Sequence, residues 1–208
     1  MEVDATMVFV VEKDSVFSRL KQSGILEKYS IIMVTGKGFP DLATRRLVAK
    51  LSTTLPVLIL TDCDVGGLEI LCCYKFGAIR NAYSQVTILL LLLLILLSLL
   101  PNYIQENLAA PLSWWVGLLP EDLPELSVPL KSFTESDKRK MSLIARRNYV
   151  MADPLLRRQV DLMSTLKVKA GLETLTGNQE ETYMVETYIP NKIQNLLRQL
   201  RQLKNSEE

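Results

Sequence analysis

The 208-residue sequence predicts an α/β fold: a parallel sheet flanked by helices, with a helical C-terminal extension. Three observations carry that reading. Short apolar runs rich in β-branched residues recur three times near the N-terminus, each is followed by a helical pattern, and the connections between them are short. Alternation of this kind implies parallel strands joined by crossovers.

The first run is Met7–Val11, without any polar alternation, as expected of a strand buried on both faces. Asp14 and Ser15 can cap a helix over Val16–Gln22, with Phe17 and Leu20 on one face. Ile31–Val34 is the second run, closed by Thr35-Gly36-Lys37-Gly38, and Asp41 caps a helix through about Leu51. Pro56–Leu60 is the third, ending in Thr61-Asp62-Cys63-Asp64 and followed by a helix from about Leu68 to Phe76. Trp114–Leu118 reads as a fourth strand, and Pro120–Pro129 as a loop. Thr134, with Asp137 three residues on, caps a basic helix carrying Lys138, Arg139, Lys140, Arg146 and Arg147. Helices are also expected over about Pro154–Leu166 and from about Gln179 to Lys204, the last interrupted at Pro190.

Composition narrows the chemistry. There are 24 Lys+Arg against 23 Asp+Glu, so no charged tail dominates, although a local basic patch remains open. Histidine is absent, which removes Ser-His-Asp triads, Cys-His dyads and His-ligated metals. The three cysteines, Cys63, Cys72 and Cys73, form no C-x-x-C, and adjacent cysteines rarely pair. A reducing intracellular compartment is expected, and the N-terminus shows no basic region before an apolar run.

Parallel strands deliver their C-terminal ends to one edge, where open α/β sheets bind ligands. The residues brought there are Glu12, the Thr35–Gly38 loop, Asp62 and Asp64. In an extended chain positions i and i+2 point the same way, so Asp62 and Asp64 are expected to face one point, with Glu12 beside them. Three such carboxylates repel by several kcal/mol at a separation of ~5 Å and low effective dielectric. A divalent cation removes the repulsion, and oxygen-only ligation favours Mg²⁺, with Mn²⁺ as the alternative. Lys37, between two glycines, can bring a cation and backbone N–H groups to a phosphate; a plain turn explains the loop equally well. Arg45 and Arg46 can reach a nucleic-acid backbone or form a solvated helix face, and the same choice applies to the basic helix.

Several blocks, in order, resemble the Toprim domain of the topoisomerase VI A-subunit family and its meiotic double-strand-break members. They are Val11–Asp14 (Val-Glu-Lys-Asp), Thr35–Arg45 (Thr-Gly-Lys-Gly-Phe-Pro-Asp-Leu-Ala-Thr-Arg), Asp62–Gly67 (Asp-Cys-Asp-Val-Gly-Gly), Tyr74–Gly77, Trp115–Leu123 and Tyr188–Lys192. Val-Gly-Leu-Leu-Pro, residues 116–120, leans towards the animal members. The resemblance implies a Rossmann-like Toprim domain over residues 1–130, with an atypical Leu-rich insertion at about 79–105, and a helical part of the same unit over 131–208. It implies a type IIB topoisomerase-like enzyme that breaks both DNA strands by tyrosyl transesterification to start meiotic recombination, in the nucleus on chromosomes. Glu12, Asp62 and Asp64 would hold Mg²⁺, and Lys37 and Arg45 would contact DNA. The implied partners are double-stranded DNA, a second copy in a homodimer, and a topoisomerase VI B-like partner; no membrane partner is expected. The alternative is a non-catalytic Toprim module that binds DNA or another protein of the complex.

Three departures from the family pattern matter. The nucleophilic tyrosine belongs to an upstream winged-helix domain, in an Arg-Asp-x-Tyr-Tyr-like motif that none of the seven tyrosines here occupies. We therefore expect an N-terminally truncated member that does not cleave DNA alone. Val65 stands where the family usually has Pro, and Gly171 where Lys-Ala is usually followed by Glu. Finally, Val86–Leu100 is almost entirely Leu and Ile, about 15 residues against the ~20 that span a bilayer. Its codons can be pyrimidine-rich, like a tract before a splice acceptor, so we read it as translated intron, with a membrane anchor as the alternative. That reading predicts transcripts joining a codon near Ile79 to one near Glu106, and reads continuous across the tract would sink it.

Overall fold

The computed structural model describes residues 4–77, 108–126, 128–176 and 182–206. Its centre is a parallel sheet of β1 (Met7–Val11), β2 (Ile31–Thr35), β3 (Val57–Leu60) and β4 (Ser113–Trp115), in the order β2-β1-β3-β4. Every residue of β1 and β3 is buried, whereas β2, at the edge, is half-buried throughout. In β1 and β3 the continuous apolar runs therefore mark strands covered on both faces, which is why they lack alternation.

The covering helices are α1 (Asp14–Gln22), the short α2 (Ile25–Lys28), α3 (Leu42–Leu51) and α4 (Val65–Phe76). Lys13, rather than Asp14 or Ser15, is the N-cap of α1, without a side-chain cap bond. Asp41 caps α3 by accepting from the Thr44 N–H at 2.7 Å. α4 begins three residues earlier than its apolar pattern suggests, because Asp64 Oδ1 accepts from the Gly67 N–H at 2.7 Å. Gly67 is required there: a Cβ would lie 2.5 Å from the Asp62 carbonyl oxygen.

The C-terminal part adds α5 (Glu135–Ala145), α6 (Asn148–Ala152), α7 (Pro154–Leu166) and α8 (Ile189–Ser206). α5 has the expected capping box of Thr134 and Asp137. Pro190 does not interrupt the last helix; it stands in the first turn of α8, where its missing N–H costs no bond, directly after a π-turn at Met184–Tyr188. Two short strands without a readable period, β5 (Lys131–Ser132) and β6 (Val168–Lys169), pair antiparallel. An isolated bridge then joins Cys63 to Ala170, with both N–H···O bonds near 3 Å. This bridge returns the C-terminal part to the end of β3. The hydrophobic core runs from β1 through α5 and α7 to Ile193 and Leu196 of α8 without a break.

The Leu-rich stretch at 79–105, with its intron and membrane readings, lies outside the described residues. Among those described, no helix is long and apolar enough to cross a membrane.

Candidate metal centre

The chain leaves β1 towards β2 on one side and later reaches β3 on the other. The loops after β1 and β3 therefore diverge at the point where the strand order reverses, which is where open α/β sheets form a crevice. Val11 pairs with Leu60, and one residue further on the Glu12 N–H donates to the Leu60 carbonyl at 3.0 Å. Glu12 and Asp62 thus meet because two strands in register end together. The Asp62 N–H donates to Glu12 Oε2 at 3.0 Å. On the other side, the Gly38 N–H donates to the Glu12 carbonyl at 3.0 Å, which ties the Gly-Lys-Gly turn to the same edge. Lys37 holds a left-handed φ of 52° in that turn, and its side chain is exposed.

Asp62 is 5% exposed, and both its oxygens are engaged. Oδ1 accepts from the Leu172 N–H at 2.9 Å, and Oδ2 lies 2.5 Å from the Lys13 ammonium. Asp64 is half-buried and caps α4. The two aspartates converge on the same edge but serve different partners. Among the described residues, no three Asp, Glu, Cys or His side chains are gathered closely enough to hold an ion as they stand. The donor chemistry nevertheless suits a hard cation: the acidic groups offer oxygen only. Cys63 is packed in the core at 1% exposure, and burial pushes its thiol up to about 12.

The electrostatics agree with a crowded acidic edge. Burial raises the Glu12 carboxyl to about 7; the Asp62 N–H opposes that rise, and the charges of Asp62 and Asp64 reinforce it. Burial also raises Asp62, against the pull of Lys13 and the Leu172 N–H.

Two further groups reach this edge without a sequence signal of their own. Lys13 immediately follows Glu12, and its ammonium also lies 2.6 Å from Glu173 Oε2. Glu173 lies two residues beyond Gly171, and its carboxylate occupies the space into which a side chain at 171 would project, 2.5 Å from that Cβ position. An acidic group is therefore delivered to the place left bare by Gly171, from a neighbouring position. Lys13 belongs to the Val-Glu-Lys-Asp block, but only the fold shows which carboxylates it joins.

The expected DNA contact at Arg45 is not what the fold makes of that residue. Arg45 is 8% exposed, and its guanidinium donates to the Leu108 carbonyl at 3.4 Å instead of reaching into solvent. The cause is helical phase, since 45, 48 and 49 form the buried face of α3 while Arg46 is exposed. The basic face of α5 is partly spent within the fold, with Lys140 and, just past its end, Arg147 both within 4 Å of Glu69.

The chain is similar to a known family and to curated proteins. The family model for the Toprim domain of the topoisomerase 6 A-subunit and Spo11 matches residues 7–92 and 86–193, two pieces that meet inside the Leu-rich run. Meiotic recombination protein SPO11 of Homo sapiens is 38% identical over 196 residues, covering 91% of this chain and 44% of that protein. Its Mus musculus counterpart is 36% identical with the same coverage. The DNA topoisomerase 6 A-subunit of Arabidopsis thaliana is 30% identical, covering 93% of this chain and 42% of that protein. The chain spans less than half the length of these relatives.

Proposed function

We propose, from the premise that the chain belongs to the family of Spo11 and the topoisomerase 6 A-subunit through its Toprim domain, that it is the Mg²⁺-binding half of a protein that breaks both strands of DNA by tyrosyl transesterification to start meiotic recombination. The observation that carries this reading is the meeting of Glu12 and Asp62 at the switch point of the sheet, with Asp64 two residues on. When bound, Mg²⁺ would supply charge neutralisation at a phosphate oxygen of the DNA backbone. Glu12, Asp62 and Asp64 would hold it, and the exposed Lys37 would contact the backbone beside it. The family's working unit suggests a homodimer on double-stranded DNA, a topoisomerase VI B-like partner and a nuclear, chromosomal location.

The attacking tyrosine is supplied from outside this chain in our reading. Tyr74, Tyr149 and Tyr188 are all held above the ordinary tyrosine range, chiefly by burial, the opposite of what an attacking phenolate needs. Tyr188 donates its hydroxyl to Asp122 Oδ2 at 2.6 Å, a structural use of the group.

The test is metal-dependent DNA association. In the complete protein, Asp62→Asn together with Asp64→Asn is expected to abolish Mg²⁺-dependent binding to duplex DNA, measured by fluorescence anisotropy across a Mg²⁺ titration. Association unchanged in the folded double variant would remove Asp62 and Asp64 from the site.

A further inference from the structure

Lys13 is the group that the metal reading alone does not use. A cation and an anion leave the end of β1 side by side, and the cation crosses to β3: the Lys13 ammonium lies 2.5 Å from Asp62 Oδ2 and 2.6 Å from Glu173 Oε2. Its side chain is one-third exposed, whereas that of Asp62 is 6% exposed and that of Glu173 57%. The other Asp62 oxygen is already held by the Leu172 N–H. Both Asp62 oxygens are thus engaged, Oδ2 by a positive charge belonging to the protein.

We propose that Lys13 is a built-in counter-cation, which a divalent metal ion must displace from Asp62 and which Glu173 keeps after it leaves. The proposal rests on the metal reading of Glu12, Asp62 and Asp64. A buried carboxylate needs a positive partner, and Lys13 supplies one for Asp62. A dication held by the same oxygen would repel the ammonium, so the two cations compete. Lysine suits the exchange, because its point charge rides on a flexible stem and makes no fixed fork. Glu173 lies towards solvent, so the released ammonium gains water while staying paired. Release also explains how Asp62, now engaged by Lys13, becomes available to join Glu12 and Asp64 on one ion. Lys13 is a positioning residue in this scheme, acting through Asp62.

The experiment uses the full chain and two readouts. Mn²⁺ binding, counted from the free-ion electron paramagnetic resonance signal, is expected to be at least about fivefold tighter in Lys13→Gln than in the wild type. Lys13→Arg is expected to return binding to the wild-type level or weaker. In the wild type, mass spectrometry of acetylation by an N-hydroxysuccinimide ester is expected to show Lys13 reacting several-fold faster at saturating Mg²⁺, with exposed Lys50 unchanged. The acetylation arm needs no variant, so it stands even where Lys13→Gln fails to fold. Mn²⁺ binding with an unchanged Lys13 acetylation rate, or with equal affinity in wild type and Lys13→Gln, overturns the displacement and leaves the metal site intact. Absence of Mn²⁺ binding from both proteins overturns the metal reading and this proposal with it.

Discussion

At the residue scale, single carboxylates in this chain do several jobs at once. Asp137 shows this away from the acidic edge. Its Oδ2 accepts from the Thr134 N–H and hydroxyl at 2.8 Å and from the Lys169 ammonium at 2.7 Å, so one group caps α5 and ties it to β6. Partial burial works to raise its pKa, but Lys169 and Thr134 outweigh it and bring the carboxyl down to about 2 from the ordinary 3.8. A carboxylate depressed in the folded state stabilises the fold above its unfolded pKa and loses that contribution as pH falls through the folded value. The wild type should therefore lose this contribution between roughly pH 4 and pH 2, and Asp137→Asn should lack that part of the acid transition, as followed by circular dichroism during acid titration. Thr134→Ala is expected to cost about 1 kcal/mol at neutral pH in urea denaturation. No change in midpoint would show that the cap contributes nothing.

At the element scale, the decisive unit is the turn from β3 into α4. Asp62 needs the end of a strand, Asp64 needs the start of a helix, and only two residues separate the two conditions. Gly67 makes this possible by letting the first turn of α4 pass over the Thr61–Asp62 backbone. Gly67→Ala puts a Cβ 2.5 Å from the Asp62 carbonyl and 3.0 Å from Thr61 Cβ, against atoms that cannot swing away. We expect a loss of about 2 kcal/mol, together with weaker Mn²⁺ binding, because the backbone that must shift is the one that carries Asp62. Equal stability and affinity in Gly67→Ala would show that the turn yields without moving the aspartates. Gly117 has a similar role on the other side of Thr61, where a Cβ would fall on the Thr61 carbonyl. The end of β3 is thus enclosed by two glycines far apart in sequence.

At the scale of the whole molecule, the C-terminal part completes the edge as well as covering the core. Residues 62 and 172 are 110 positions apart, yet the Leu172 N–H holds Asp62, and the Cys63–Ala170 bridge sets that register. A second tie fixes α8: Tyr188 donates its one hydroxyl proton to Asp122 Oδ2 at 2.6 Å, with the Gly117 carbonyl 3.1 Å from the same hydroxyl, while Lys192 reaches both Asp122 oxygens at 2.6 and 2.7 Å. Asp122 in turn accepts from the Leu119 N–H at 3.0 Å. Tyr188→Phe removes a buried hydroxyl from this tie and should cost about 2 kcal/mol. Chemical denaturation measures the loss, and hydrogen exchange should show added opening concentrated in α8 and the 117–123 segment. A global loss without such localisation would mean that the tie does not fasten α8 in particular.

The parallel sheet, its three leading strands, the Thr134 cap and the placing of Glu12, Asp62 and Asp64 at the sheet edge are all legible in the sequence, whereas Glu173 is not. Each is local: an unbroken apolar run reports burial on both faces, and a capping pair reports a helix start within four residues. The two-residue strands β5 and β6 are not legible, because so short a pair carries no period and exists only where its partner lies. Arg45 misleads for a related reason, since a charged side chain on a helix says nothing of the carbonyl that faces it. By itself, then, the sequence determined the fold class and the arrival of Glu12, Asp62 and Asp64 at one edge. Tertiary structure alone decided who holds each carboxylate, that Lys13 bridges Asp62 and Glu173, and that Leu172 closes on Asp62. Those contacts join segments 49 to 160 residues apart, and their geometry is set by strand register and packing rather than by anything within one stretch of chain.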